Sequence, residues 1–270
     1  MILPRPDLQS IGINYRRIPV LAIGKDIYCD TSAIIDALNT KFSDKLVLSS
    51  KDLAGAIKGL QVLADGIFRV VLGAFRINRM PPSFIEDRKD LFPLLIDPNF
   101  EQLRPHALSE TRGYLTTLEN NLHSDWILGQ DLSLGDIEII WVLRWALLDL
   151  KFSEEPSLSK EQFPKVYTWI DRFMVQVEKN KSPSIQIKGD EAKRIILASN
   201  LDPVSGVDSN DPLLLKEGDQ VVINSTDAKP THPQEGKLIG LNGKETVIEL
   251  DNGIHVHFPR IGYRVEKIVK

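Results

Sequence analysis

The 270-residue sequence predicts an α+β chain that is mainly helical. Three observations predict it. The chain starts with two short apolar strands and a helix, continues with apolar residues three and four apart, and ends where that period falls to two. On this reading a β-β-α lobe fills 1–45, an all-α domain 46–200, a linker 201–213 and a small β-barrel 214–270. With 42% hydrophobic and 26% charged residues the chain is neither disordered nor fibrous. Basic and acidic side chains, 33 against 37, leave a net charge of −4 and no global field for nucleic acid.

In the lobe, Val20-Leu21-Ala22-Ile23 reads as a strand that stops at Gly24-Lys25-Asp26, a hairpin link. Ile27-Tyr28-Cys29 returns, and Asp30 or Thr31 suits the N-cap of a helix through Ala33 to Leu38. Two strands and one helix cannot bury a core alone. In the helical part, Leu53 to Phe75 carries an apolar stripe that Pro81-Pro82 ends, with a loop to follow. Leu103 to Leu122 is the next stripe, with Pro105 in an early turn. Ser133 caps a helix with Asp136 three residues on, a variant of the capping box. That helix is apolar enough (Ile137, Ile140, Trp141, Leu143, Leu147) to be central. Phe163-Pro164 to Val177 and Ala192 to Ala198 are the last two helices. The linker NLDPVSGVDSNDPL lacks a period. Beyond it five short strands, with a hairpin at Asp251-Asn252-Gly253, suit a Src-homology-3-like or Tudor-like barrel. From Asp211 to Lys270, eight basic against nine acidic side chains leave −1, too neutral for phosphate-driven binding.

Tyr15-Arg16-Arg17-Ile18-Pro19-Val20-Leu21, then Ile27 to Ile35, resembles the N-terminal domain of the glutathione transferase family. Trp126-Ile127-Leu128-Gly129 and Ser133-Leu134-Gly135-Asp136 are similar to the phrase at the central helix of that family's all-α second domain. The two matches stand in the right order and cover 14 to about 180. The whole chain looks similar to fungal transferase-like proteins with an extra β domain.

The resemblance implies a partial thioredoxin-like lobe and glutathione as co-substrate. It implies a cis Pro19 and an Ile18 whose main-chain N–H and C=O meet the cysteinyl backbone of glutathione. Thr31 and the free N–H groups of the helix start would hold the γ-glutamyl carboxylate, and Asp30 its ammonium. Phe68, Arg69, Leu72 and Arg76 would border the electrophile pocket. The plainer readings are a strand-start proline, an N-cap, and a helix with a core side and a solvated side.

The family's first strand and helix carry the Tyr, Ser or Cys that stabilises the glutathione thiolate, and this sequence opens after the matching point. The catalytic residue is therefore unknown. Tyr15 lies on the wrong side of the turn and reads as structural; Cys29 reads as a packing residue. The expectation is a truncated transferase with an unpaired edge on Val20–Ile23, lowered stability or a homodimer covering that edge. The expected function is conjugating or binding glutathione with a small electrophile if the missing N-terminal lobe is present natively; the alternative is a non-catalytic transferase-fold ligand-binding or interaction scaffold. His255 and His257 share a strand face, but no third ligand suits a metal, so none is expected. With no secretory signal, no disulfide partner for Cys29 and no apolar run near the ~18 residues a membrane span needs, the expected location is cytoplasmic.

Overall fold

A computed structural model describes residues 2–42, 48 and 51–269. The chain forms two compact units, one of Met1–Lys45, Glu86–Phe92 and Ile185–Lys270, the other of Leu46–Ile85 and Pro93–Ser184. The expected lobe and the expected barrel therefore lie in the same unit. The boundary expected near 45 falls outside the described residues.

The first unit is built on one seven-stranded sheet: β1 (Val20–Ile23), β2 (Asp26–Cys29), β3 (Gln220–Ser225), β4 (Gln234–Leu241), β5 (Glu245–Glu249), β6 (His255–Pro259) and β7 (Tyr263–Lys267). Their order is β1-β2-β6-β5-β4-β3-β7. β1 and β2 form the antiparallel hairpin, with Val20 opposite Cys29. β2 then pairs in parallel with β6, Ile27 opposite Val256. The last five strands are not a separate barrel, because β6 gives its second edge to the hairpin. The reason is largely hydrophobic: Ile27, Tyr28 and Cys29 of β2 are buried, and a hairpin alone could not cover them. Ile27 and Cys29 share a core with Ile13, Val221, Leu238, Val256 and Phe258. β1 sits at the end of the sheet, so its outer edge has no strand partner among the described residues.

The stretch at 201–213 is no free linker. The Asp208 N–H donates to the Leu241 carbonyl, the Leu241 N–H to that of Gly206, and the Asp202 N–H to the Asp26 carboxylate. Val207 packs on the sheet core. Gly240 makes room nearby, since a Cβ there would sit 2.6 Å from Val204 Cγ1.

Among the described residues, α1 (Pro6–Gln9), α2 (Thr31–Lys41) and α8 (Gly189–Ala198) lie wholly in this unit. α1 is missed by the sequence reading because four residues are too few to show a period. α8 brings Ile196 and Leu197 to the sheet core.

The second unit is helical, with α3 (Ala54–Gly73), α5 (Phe100–Asn121), α6 (Leu134–Arg144) and α7 (Pro164–Lys179). The expected loop after Pro82 instead holds α4 (Pro82–Arg88), which crosses the boundary between the units. Proline at a helix start is tolerated, since its missing N–H would be unbonded there in any case. α3 buries Ile57, Ala64, Ile67 and Val71, and α6 buries Ile139, Ile140 and Leu143. After α6 the backbone widens to a π-turn over Trp145–Asp149.

Candidate functional site

The hairpin register brings two stretches of the resemblance together. The ladder ends at Val20 opposite Cys29, so Pro19 and Asp30 are the next opposed positions. The Ile18–Pro19 bond is cis. Ile18 is exposed, and its main chain bonds to no other described residue. Across from it, Asp30 caps α2: its carboxylate accepts from the Ser32 N–H at 2.9 Å. Asp30 holds φ at +79°, a value rare for a residue with a side chain. Thr31, the first residue of the helix, is exposed. Main chain without a bond among the described residues, an acidic side chain and a helix start thus share one end of the hairpin.

The second oxygen of Asp30 is also engaged. It accepts from the Tyr263 hydroxyl at 2.9 Å, and that hydroxyl lies 2.8 Å from the Tyr15 hydroxyl. Burial, and then the Asp30 charge, push the Tyr15 phenol up; burial, then Tyr15 and Asp30, do the same to Tyr263. Both phenols stay protonated. Tyr15 is thus a buried structural group, its ring edge-on to Phe258 at 5.7 Å. Cys29 is fully buried, and burial followed by the Asp30 charge pushes its thiol up, away from thiolate chemistry.

Arg17, beside Ile18, donates to Asp227 at 2.7 and 3.1 Å and to Ser225 at 3.4 Å. Arg16 is buried against Asp87. Sequence reading missed these partners, and Tyr263 with them, because each lies some 70 to 230 positions away.

The four residues expected at an electrophile pocket have different surroundings, and Arg76 lies past the end of α3 at Gly73. Leu72 is buried, and Arg76 pairs with Glu155 at 3.1 Å. Phe68 stacks on Trp145 with ring centres 5.6 Å apart, and Arg69 is exposed. Periodicity puts them on one helix but does not say which side is core. Clefts of about 670 Å³ in the β unit and 470 Å³ in the helical unit include none of the eight residues predicted for the site. His255 and His257 do share a strand. His257 lies between Asp26 (2.9 Å) and Glu245 (3.0 Å), and among the described residues no group of three or more His, Cys, Asp or Glu is set to hold a metal.

Residues 76–182 match a domain of unknown function, DUF7962. No curated protein matches the chain. Among solved structures, a GST-like protein from Pseudomonas syringae superposes with a TM-score of 0.70 at 25% identity, over 99% of this chain and 87% of that one. The chain has a glutathione-transferase-like fold. The C-terminal strands are part of that likeness, since almost the whole chain is covered. Two further matches are looser. A glutathione S-transferase from Methylobacterium radiotolerans, in complex with glutathione sulfonate, gives 0.44 at 20% identity over 64% of this chain and 76% of that one. An epsilon-class glutathione S-transferase from the housefly Musca domestica gives 0.42 at 20% over 67% and 72%. At those scores no residue is carried across. Among the described residues no helix is long and apolar enough to cross a membrane.

Proposed function

We propose that the chain binds glutathione at the end of the β1–β2 hairpin. The observation that carries this reading is the juxtaposition set by the register: exposed Ile18, its main chain without a bond among the described residues, beside Pro19 and opposite Asp30 and the exposed start of α2. The Ile18 N–H and C=O meet the cysteinyl backbone of the ligand as an added strand would. The γ-glutamyl carboxylate sits at Thr31, where a hydroxyl and the N–H groups of the first helical turn face negative charge. The γ-glutamyl ammonium faces Asp30, which keeps acceptor capacity after serving Ser32 and Tyr263, because a carboxylate has about four lone-pair sites.

Binding is the activity this lobe supports. Conjugation needs a group that stabilises the thiolate, and Tyr15 and Cys29, the two residues weighed for that role in the sequence, are buried with raised pKa values. Phe68, Arg69, Leu72 and Arg76 do not enter the proposal, since packing and the Glu155 pair hold two of them.

Isothermal titration with reduced glutathione tests the reading. Saturable binding is expected, weakened in Thr31→Ala and in Asp30→Ala; no heat with the folded protein rejects it. An assay with a generic aryl halide electrophile should give no rate above the uncatalysed one. A clear turnover would overturn the restriction to binding.

A further inference from the structure

We propose that the C-terminal strands complete the γ-glutamyl subsite: Tyr263 of β7, backed by Tyr15, is the positioning residue that holds the Asp30 carboxylate toward the ligand's ammonium. The inference rests on the glutathione reading above. It gives the last five strands a role in the site itself.

The hydrogen-bond chain fixes its own direction. The Asp30 carboxylate only accepts, so Tyr263 gives it the hydroxyl proton, and Tyr15 in turn donates to the Tyr263 oxygen. Both phenols are buried, and Phe258 packs against them at 5.7 and 5.3 Å. Asp30 meanwhile sits on a backbone at positive φ, and its side chain accepts one local bond and one across the sheet. Removing the phenol frees one carboxylate oxygen. The cap to Ser32 survives, but the direction of the second oxygen does not.

The same pattern recurs on both sides of the turn. Arg17 is held by Asp227 and Ser225, and Asp26 by His257. All four anchors, Tyr263 included, come from beyond residue 220, and they hold residues between 17 and 30. The parallel β2–β6 ladder supplies the register that lets them reach. A sheet attached for an unrelated purpose would not need to bond the one acidic side chain at the start of α2.

The test is titration of the full chain with two ligands: glutathione, and its analogue in which a glutaryl group replaces γ-glutamyl, so that only the ammonium is missing. Tyr263→Phe should weaken glutathione about tenfold and leave the glutaryl analogue unchanged, since one hydrogen bond to a charged group is lost. In an Asp30→Asn background the same substitution should add nothing. Tyr15→Phe, which removes the backing donor alone, should show a smaller loss confined to glutathione, and it carries the test if Tyr263→Phe fails to fold. Equal losses for both ligands mean a general structural role and overturn the proposal. So does a Tyr263→Phe variant that binds glutathione like the unmodified chain. A folded, unmodified chain that binds neither ligand rejects the glutathione reading, and the positioning role falls with it.

Discussion

Asp136 in the helical unit and Asp26 in the β unit are both 0% exposed, yet they are satisfied by different chemistry. Asp136 accepts four hydrogen bonds, all from neutral donors: the N–H groups of Ile127 and Ser133, the Ser133 hydroxyl and the Trp169 indole, at 2.7–2.9 Å. Asp26 accepts from the Asp202 N–H and from the His257 ring, each at 2.9 Å. The other nitrogen of that ring faces the Glu245 carboxylate at 3.0 Å. Donating to carboxylates on both sides takes a proton on each ring nitrogen, and although burial disfavours that charged form, Asp26 and Glu245 raise the pKa of His257 overall. The helical unit therefore closes its centre with oriented neutral dipoles, and the β unit closes its seam with a charge. The difference sets what each can tolerate: the first depends on one side chain, the second also on a proton.

The largest expected effect breaks the helical side of this comparison. Asp136→Ala leaves four donors without their acceptor and should cost roughly 4 kcal/mol, read as a lower denaturant midpoint for the helical signal. A loss near zero would mean that water replaces the carboxylate. Next comes His257→Phe, which keeps the stack on Tyr28 but strands Asp26 and Glu245, at about 3 kcal/mol. Adding Asp26→Asn to it should recover part of that loss, because a coupled pair is not additive. Fully additive losses would show that the seam is not held by the ion pair.

These two sites also mark what sequence could reveal. Ser133 and Asp136 are three residues apart and follow a known capping pattern, so the central helix and its cap are readable from the residues alone. The hairpin, the Asp30 cap and the strand set at the end are readable for the same reason: each is local. The His257–Asp26 bond joins positions 231 apart, and Tyr263–Asp30 joins positions 233 apart. No period or spacing encodes those. The separate barrel is expected because five strands with a hairpin look self-sufficient. The full burial of β2 is what draws β6 into one sheet with it, and burial on both faces of a four-residue strand leaves no alternation to read.

Two glycines sharpen the contrast at smaller scale. Gly24 has φ +63°, and a Cβ there would sit 2.6 Å from the Asn200 carbonyl oxygen, which also accepts the Lys25 N–H. Backbone cannot move aside cheaply, so Gly24→Ala should cost about 2 kcal/mol. At Gly135 the nearest atoms are the ends of Leu60 and Leu128, at 2.6 and 3.1 Å. Those side chains can turn, so Gly135→Ala should cost only about 1 kcal/mol. Melting each variant checks the order, and a reversed order would mean that the helical centre yields less than the turn.

The smallest effect is the pH profile, and its sign follows from the two histidines of β6. Burial lowers the proton affinity of His257, but its hydrogen bonds to Asp26 and Glu245 outweigh burial, and the net pKa is raised. The stability it contributes is complete below the unfolded value of about 6.5 and is lost as pH rises through the folded value. His255 behaves oppositely. Burial lowers its pKa, Asp26 raises it less, and the nearby His257 lowers it again, so its contribution is present above about 6.5 and declines as pH falls. The other charges facing the pair are Glu249 and Lys25 beside His255 and Lys41 over the Tyr28 ring. Melting temperature against pH should thus peak near the unfolded histidine value. His257→Gln should flatten the alkaline side and His255→Gln the acid side. An alkaline decline that survives in His257→Gln would place the titrating group elsewhere and leave the seam without its charge.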